Sequence, residues 1–531
     1  MSSSAVQQAA TSKNGLLSVT PGGRIPPALL RLLFGDSNST YNREFSDSED
    51  GSSGATPKSS SSYGFSPPGL SFKKQLSRSL YALSADGCHL AVAYADRYML
   101  LERPEDNRPS SNYRLVSVGS EVTSVGEMIT AIYCLGVYAA QSSKQGKNHS
   151  LCVAVGYSTG YLRVFSLYGH ILTTQQFHSE PLIRIRLRMP VQTGRAHNSN
   201  SIEDTEEVNL TYADGTVVSM DGKSLYLALR ICLNENGATP DADGPMFQYK
   251  KWAFSLNMPL VSDAVSYGPA THRDPLASLA NASLTSCPMA SDATARFLVA
   301  PQHGDAAFGV FMTNEDAAMS YSAVDIAGKV AAKVTGAVLN IAKSYFWRTS
   351  PQPSSRESTG NTVTTDPGTI VPCAFAIHDP PRKVLDISLA PAAYALAALT
   401  DSLGRVMIFD LENCEVVHML KGLRGSQCAW LEIDQQSTNN DNVSTGRRMF
   451  IVVYAGRRGT VEVFELGSLE RPFASVSVGL GWRLVQCPTQ PLGGSLVVGS
   501  PASTRRATLP ILATCMLISE NAQTAHIQIN I

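Results

Sequence analysis

Gly156 to Gly160 read GYSTG, the glycine-x-serine-x-glycine spacing that lifts a serine hydroxyl above a sheet when a strand turns sharply into a helix. The nucleophile would be Ser158. The next five residues are YLRVF, an alternating strand, so the serine lacks the helix that its chemistry needs. GTVVSMDGKS has the look of a phosphate-cradling loop, but six residues separate Gly215 from Gly222 where four are required, and no helix is expected after it. GLGWRL at Gly479 lacks the third glycine of a dinucleotide fingerprint. The ten cysteines contain no C-x-x-C pair and mostly sit in apolar, strand-like runs, as small buried hydrophobes do in a reducing compartment; the ten histidines are dispersed. No catalytic, cofactor or metal site is expected.

The elements that carry these residues explain the spacing better than chemistry does. GYSTGYLRVFS, TYADGTVVSMD, TDSLGRVMIFD and AGRRGTVEVFE superpose on a turn glycine: Gly160, Gly215, Gly404 and Gly459. Two residues on come Leu162, Val217, Val406 and Val461, and five on come Phe165, Met220, Phe409 and Phe464. An apolar run precedes each turn, and period-two alternation comes after it, which is the pattern of a β-hairpin. The overlay places Ala213, Ser402 and Arg457 where Ser158 stands, so the serine reads as a turn residue. LAVAYADRYMLLE near residue 95 is a degenerate fifth copy without the glycine, and ARFLVAPQHGDAAFGVFMT holds another candidate turn.

Gly160 and Gly215 are 55 residues apart, as are Gly404 and Gly459. A repeat of that length built from short strands and tight turns predicts an all-β fold, a WD40-like β-propeller of about seven blades, over residues 80–531. Residues 1–79 read as a disordered tail, because DSNSTYNREFSDSEDGSSGATPKSSSSYGFSPP is rich in Ser, Gly and Pro and poor in aliphatics. The net charge of −1 gives no field for a polyanion, so nucleic acid is not expected as a partner. With no apolar run near the ~20 residues of a membrane span and no signal-peptide pattern at its start, the chain reads as cytosolic.

One segment breaks the strand pattern. Within residues 323–347, Val330, Val334, Val338, Ile341 and Tyr345 recur at helical steps, opposite Lys329, Lys333, Gly336, Asn340 and Lys343, and the segment ends in Phe346 and Trp347. It is expected to be an inserted amphipathic helix. Its apolar face would pack on the propeller, with a partner groove or a lipid surface as the alternatives.

YKKW at Tyr249 to Trp252, the helical segment ending at Trp347, KGLRGSQCAW, and YAGRRG occur in an order that resembles the amino-terminal domain of the non-catalytic, regulatory subunit of the Rab-three-type GTPase-activating complex. The resemblance runs from about Leu80 to about Leu484. It implies a subunit without an arginine finger of its own, paired with a separate catalytic subunit that accelerates GTP hydrolysis on Rab GTPases. It also implies a link to nucleotide exchange on the Rab-eighteen branch and a place in vesicle and endoplasmic reticulum traffic, at the membrane periphery. Family members continue past the propeller into a largely helical region, whereas this sequence ends at Ile531. The repeat pattern alone equally supports a generic propeller scaffold for trafficking or autophagy proteins.

Overall fold

The computed structural model describes residues 10–35 (without Lys13), 72–104, 111–119, 126–138, 149–190, 206–234, 247–254, 260–270, 293, 295–313, 368–435, 446–494 and 512–530. These form seven sheets, antiparallel except for one strand added to the third. Six blades run in chain order over residues 80–119, 129–176, 182–254, 261–378, 384–421 and 426–477. The seventh takes Trp482–Gln486, Cys515–Ser519 and Gln523–Ile529 from the carboxyl-terminal side, and Leu17–Arg24 from the other end of the chain. The first strand of each blade touches the first strand of the next, and Trp482–Gln486 touches Leu80–Leu83, so the ring closes.

The core is divided in the way a ring of sheets demands. Each sheet can bury its faces only against its neighbours, and seven separate apolar clusters fill the gaps between successive blades. Ala91, Leu100, Val153 and Phe165 join blades 1 and 2, for example, and Ile408, Leu420, Trp430 and Ile451 join blades 5 and 6. The repeat positions legible in the sequence are all inside: Leu162, Val217, Val406 and Val461, and five residues past each glycine Phe165, Met220, Phe409 and Phe464, are buried.

Each blade turns between its second and third strands on a residue with positive φ. Gly160, Gly215, Gly304, Gly404 and Gly459 hold this position at φ +82°, +92°, +86°, +90° and +66°. Ala95 (φ +53°) and Ala522 (φ +63°) take it in blades 1 and 7, which is why those copies look degenerate in the sequence. Alanine in this region costs of order 1–2 kcal/mol that glycine does not.

Two expectations are corrected. Residues 1–79 are not all tail: Ala10–Thr11 and Leu17–Arg24 are strands, and Pro27–Phe34 and Phe72–Arg78 are helices. Leu17 pairs with Ile529 and Arg24 with Gln523, with Leu17 and Val19 fully buried. LSVTPGGR does not read as a strand because Pro21 and two glycines interrupt it. A strand near the sheet edge, bulged between Pro21 and Gly23, tolerates them. A helix also does come after GTVVSMDGKS, Gly222–Asn234, inserted between the third and fourth strands of blade 3. Asp221 accepts a hydrogen bond from Ser224 N at 2.9 Å, so a carboxylate already occupies that helix start.

Candidate interaction faces and the central channel

Because strands alternate in direction, the ring has two unlike faces. The turns between second and third strands, and the connections that lead from one blade into the next, all end on one of them. This short-turn face is knitted by a repeated backbone hydrogen bond. The N–H groups of Ser158, Ala213, Gln302, Ser402, Arg457 and Glu520 donate to the carbonyls of Met128, Pro181, Leu260, Lys383, Arg424 and Gly481. Each bond ties a blade's turn to the connection leading into that blade. Ser158, Ala213, Ser402 and Arg457 are thus equivalent in space as well as in the sequence overlay, and Ser158 Oγ accepts from Met128 N at 3.0 Å. The serine is a turn fastener.

Side chains reinforce the same joints. Glu127, fully buried, meets Arg163 at 3.0 Å and accepts from the Thr159 hydroxyl, while the Arg163 guanidinium lies 4.0 Å from the Tyr157 ring centre. His178 Nε2 lies 2.8 Å from Asp214 Oδ2. Burial alone would raise Asp214, but its hydrogen bonds with His178 and Thr216 hold it below the usual carboxylate range. Arg382 bridges Asp379 and the fully buried Asp401. KGLRG and YAGRRG, far apart in the chain, meet here: Gly456 N donates to Gly425 O at 3.1 Å and Arg458 to Gly422 O at 2.9 Å.

The first strands line a central channel, which widens towards the opposite face into a cavity of about 340 Å³ bordered by Tyr133, Arg186, Tyr267, Arg296 and Trp430. Arg186 from blade 3 grips Asp263 of blade 4 with two bonds, 2.8 and 2.6 Å, and donates to Ile387 O of blade 5 at 3.1 Å. Asp263, with no exposure, also accepts from Ile387 N at 3.0 Å. A carboxylate with its lone pairs so committed is a clamp between three blades and no general base. Asp386, part-exposed, lies 3.2 Å from Arg184. Buried thiols are likewise poor nucleophiles: burial pushes Cys134 and Cys152 up to about 12 and Cys487 to about 11. None of the nine described cysteines is in a disulfide. Among the described residues no group of three or more His, Cys, Asp or Glu is placed to hold a metal, and no helix is long and apolar enough to cross a membrane.

Val330, Val334, Val338, Ile341, Tyr345, Phe346 and Trp347 lie outside the described residues. Their points of attachment do not. The chain leaves blade 4 at Thr313 and returns as Thr369–Val371, which adds a parallel fifth strand to blade 3 by pairing Trp252 with Thr369 and Phe254 with Val371. The YKKW motif is therefore on the outer strand that receives the returning chain, and the Trp252 indole N–H donates to Ser219 Oγ at 3.2 Å. The sequence displays both pieces but not their contact, since parallel pairing across more than a hundred residues leaves no local signal.

A closed ring of seven four-stranded units, with short turns on one face and long insertions on the other, is a WD40-like β-propeller, a class that works through its surfaces. Residues 75–485 match the family described as the Rab3 GTPase-activating protein regulatory subunit N-terminus, and the chain belongs to that family. It is 27% identical over 110 residues to the Rab3 GTPase-activating protein regulatory subunit of Caenorhabditis elegans, covering 19% of this chain and 8% of that relative's length. Among solved structures it is similar to Sqt1 of Saccharomyces cerevisiae (TM-score 0.37, 11% identity, 85% and 84% of the two chains) and to the carboxyl-terminal WD40 domain of Sif2 (TM-score 0.36, 8% identity, 85% and 95%).

Proposed function

We propose that this propeller is a non-catalytic, regulatory part of a Rab GTPase-activating complex and works by protein contacts with a separate catalytic subunit and with Rab GTPases. The observation that carries this reading is the family match over residues 75–485, which starts just ahead of blade 1 and ends on the first strand of blade 7. The commitment of Ser158, Asp263 and Arg163 to the joints of the ring supports it further, because these groups are held for structure. The rim where blades 3 and 4 receive the segment 314–368 is the place where a partner-binding insertion would be presented. Action would be at the cytoplasmic side of membranes, where Rab proteins reside.

Affinity purification from cells tests the proposal: a Rab GTPase-activating catalytic subunit should be recovered with the chain. Purified alone, the chain should leave the GTP hydrolysis rate of a Rab panel unchanged. Together with the catalytic subunit it should bind a Rab in its GDP-bound or nucleotide-free state. A stand-alone acceleration of GTP hydrolysis, abolished by one substitution, would overturn the reading; recovery of other trafficking proteins in place of the catalytic subunit would favour a general scaffold.

A further inference from the structure

The short-turn face is not electrically uniform, although the whole chain carries a net charge of only −1. Over blades 3 and 4 its exposed charges include Glu180 and Asp305. Over blades 5, 6, 7 and 1 the exposed charges are mainly basic: Arg424 and Arg457 stand on the turns of blades 5 to 6, and Lys74 on the helix Phe72–Arg78. That helix and Pro27–Phe34 both lie on this face. Arg483, at the start of the first strand of blade 7, donates to Ser77 O and Ser79 O; Lys73 pairs with Glu520; Arg97 donates to Leu32 O; and Phe34 packs edge-on against Tyr94.

Large apolar side chains project among these cations. Leu480 is 66% exposed, carried between Gly479 (φ +92°) and Gly481 (φ +79°) in the connection leading into blade 7. Leu403 caps the turn of blade 5, and Leu32 faces outward from its helix although Leu30, Leu33 and Phe34 on the other side are buried. Taken singly such leucines are ordinary on a protein surface; what sets these three apart is that they share one face with the basic side chains. They stand singly, one to a turn or helix. Turns of successive blades end in one plane by construction, so a flat partner touches all of them together.

We propose that the blade 5–6–7–1 sector of the short-turn face is a docking surface for an anionic lipid bilayer. Leu32, Leu403 and Leu480 enter the interfacial layer, and Lys74, Arg424 and Arg457 meet anionic headgroups. Apolar insertion and a basic field each give only weak attachment, and the two together give a stable one. The acidic blades 3 and 4 tilt away from the lipid, leaving their rim free for protein. This inference is independent of the identity of that protein.

The test is co-flotation of the full chain with phosphatidylserine-containing vesicles and with pure phosphatidylcholine vesicles. Binding is expected to the anionic vesicles only. It should fall steeply as salt rises, since screening shortens from ~10 Å at 0.1 M to ~3 Å at 1 M. Arg424→Glu with Arg457→Glu, and separately Leu403→Asp with Leu480→Asp, should each lower bound protein about tenfold or more at unchanged melting temperature. Tyr168→Asp, an exposed site on the opposite face, should change nothing. The proposal falls if the chain stays soluble with anionic vesicles at low salt. It falls equally if both double variants bind as the parent does, which would place attachment on another segment, or if only an acidic protein, and no vesicle, is held by the intact sector.

Discussion

At the scale of residues, the ring is held by a few charged groups whose partners are fully specified, so their removal has a definite cost. Asp263→Ala would leave the Arg186 guanidinium and Ile387 N–H without their acceptor in the channel wall. The expected loss is about 3–5 kcal/mol, read by chemical denaturation, whereas Ser158→Ala should cost about 1 kcal/mol. His526 supplies a pH dependence. It sits on the strand that pairs with Leu17–Arg24, and burial, aided by the nearby Arg103 guanidinium, lowers its pKa from 6.5 to about 4. The unfolded chain therefore takes up this proton at a higher pH than the folded one. Stability should be complete above pH 6.5 and fall as the pH drops towards 4, by on the order of 3 kcal/mol in total. His526→Gln should flatten that slope in thermal melts between pH 7 and pH 4.5; an unchanged slope would assign the dependence to other groups.

At the scale of elements, legibility tracks how much of a strand's environment is local. Hairpins are readable because a turn glycine and the residues two and five beyond it form one contiguous signal, and all four aligned glycines have positive φ. Blades 1 and 7 are obscure because Ala95 and Ala522 occupy the glycine's place. Leu17–Arg24 is invisible for a different reason: only its partner strand, at the other end of the sequence, makes it a strand. The helix Gly222–Asn234 escapes notice because its Leu225, Ala228 and Leu229 read as one more apolar run after a strand. The inserted segment can be cut out between two described points. Its two attachment points lie against each other, with Met312 N donating to Pro372 O at 3.3 Å. Replacing residues 314–367 with a short Gly-Ser linker should leave melting within a few degrees of the parent. If Val334 and Ile341 instead pack on the blades, that replacement, and the change of both to Asp, should each cost several kcal/mol.

At the scale of the whole molecule, the seven blade-to-blade clusters make every blade dependent on two neighbours, and blade 7 dependent on both ends of the chain. A chain begun at Leu80, the boundary the composition suggests, would lack Leu17 and Val19 from the cluster between blades 6 and 7, and Leu30, Leu33, Phe34 and Leu76 from that between blades 7 and 1. At about 1.5–3 kcal/mol for each buried aliphatic or aromatic side chain, the loss approaches the whole stability of a domain. Such a chain should be recovered aggregated, while one beginning at Ala10 should melt as the parent does. The shared blade also sets a timetable for biosynthesis. Leu17–Arg24 leaves the ribosome before any of the six other blades, and its partner, Gln523–Ile529, emerges about 500 residues later. At about 5–20 residues per second the wait is roughly half a minute to two minutes. Throughout it the growing chain carries an unpaired strand and an unfinished ring behind it, and a nascent-chain chaperone has that interval in which to shield them.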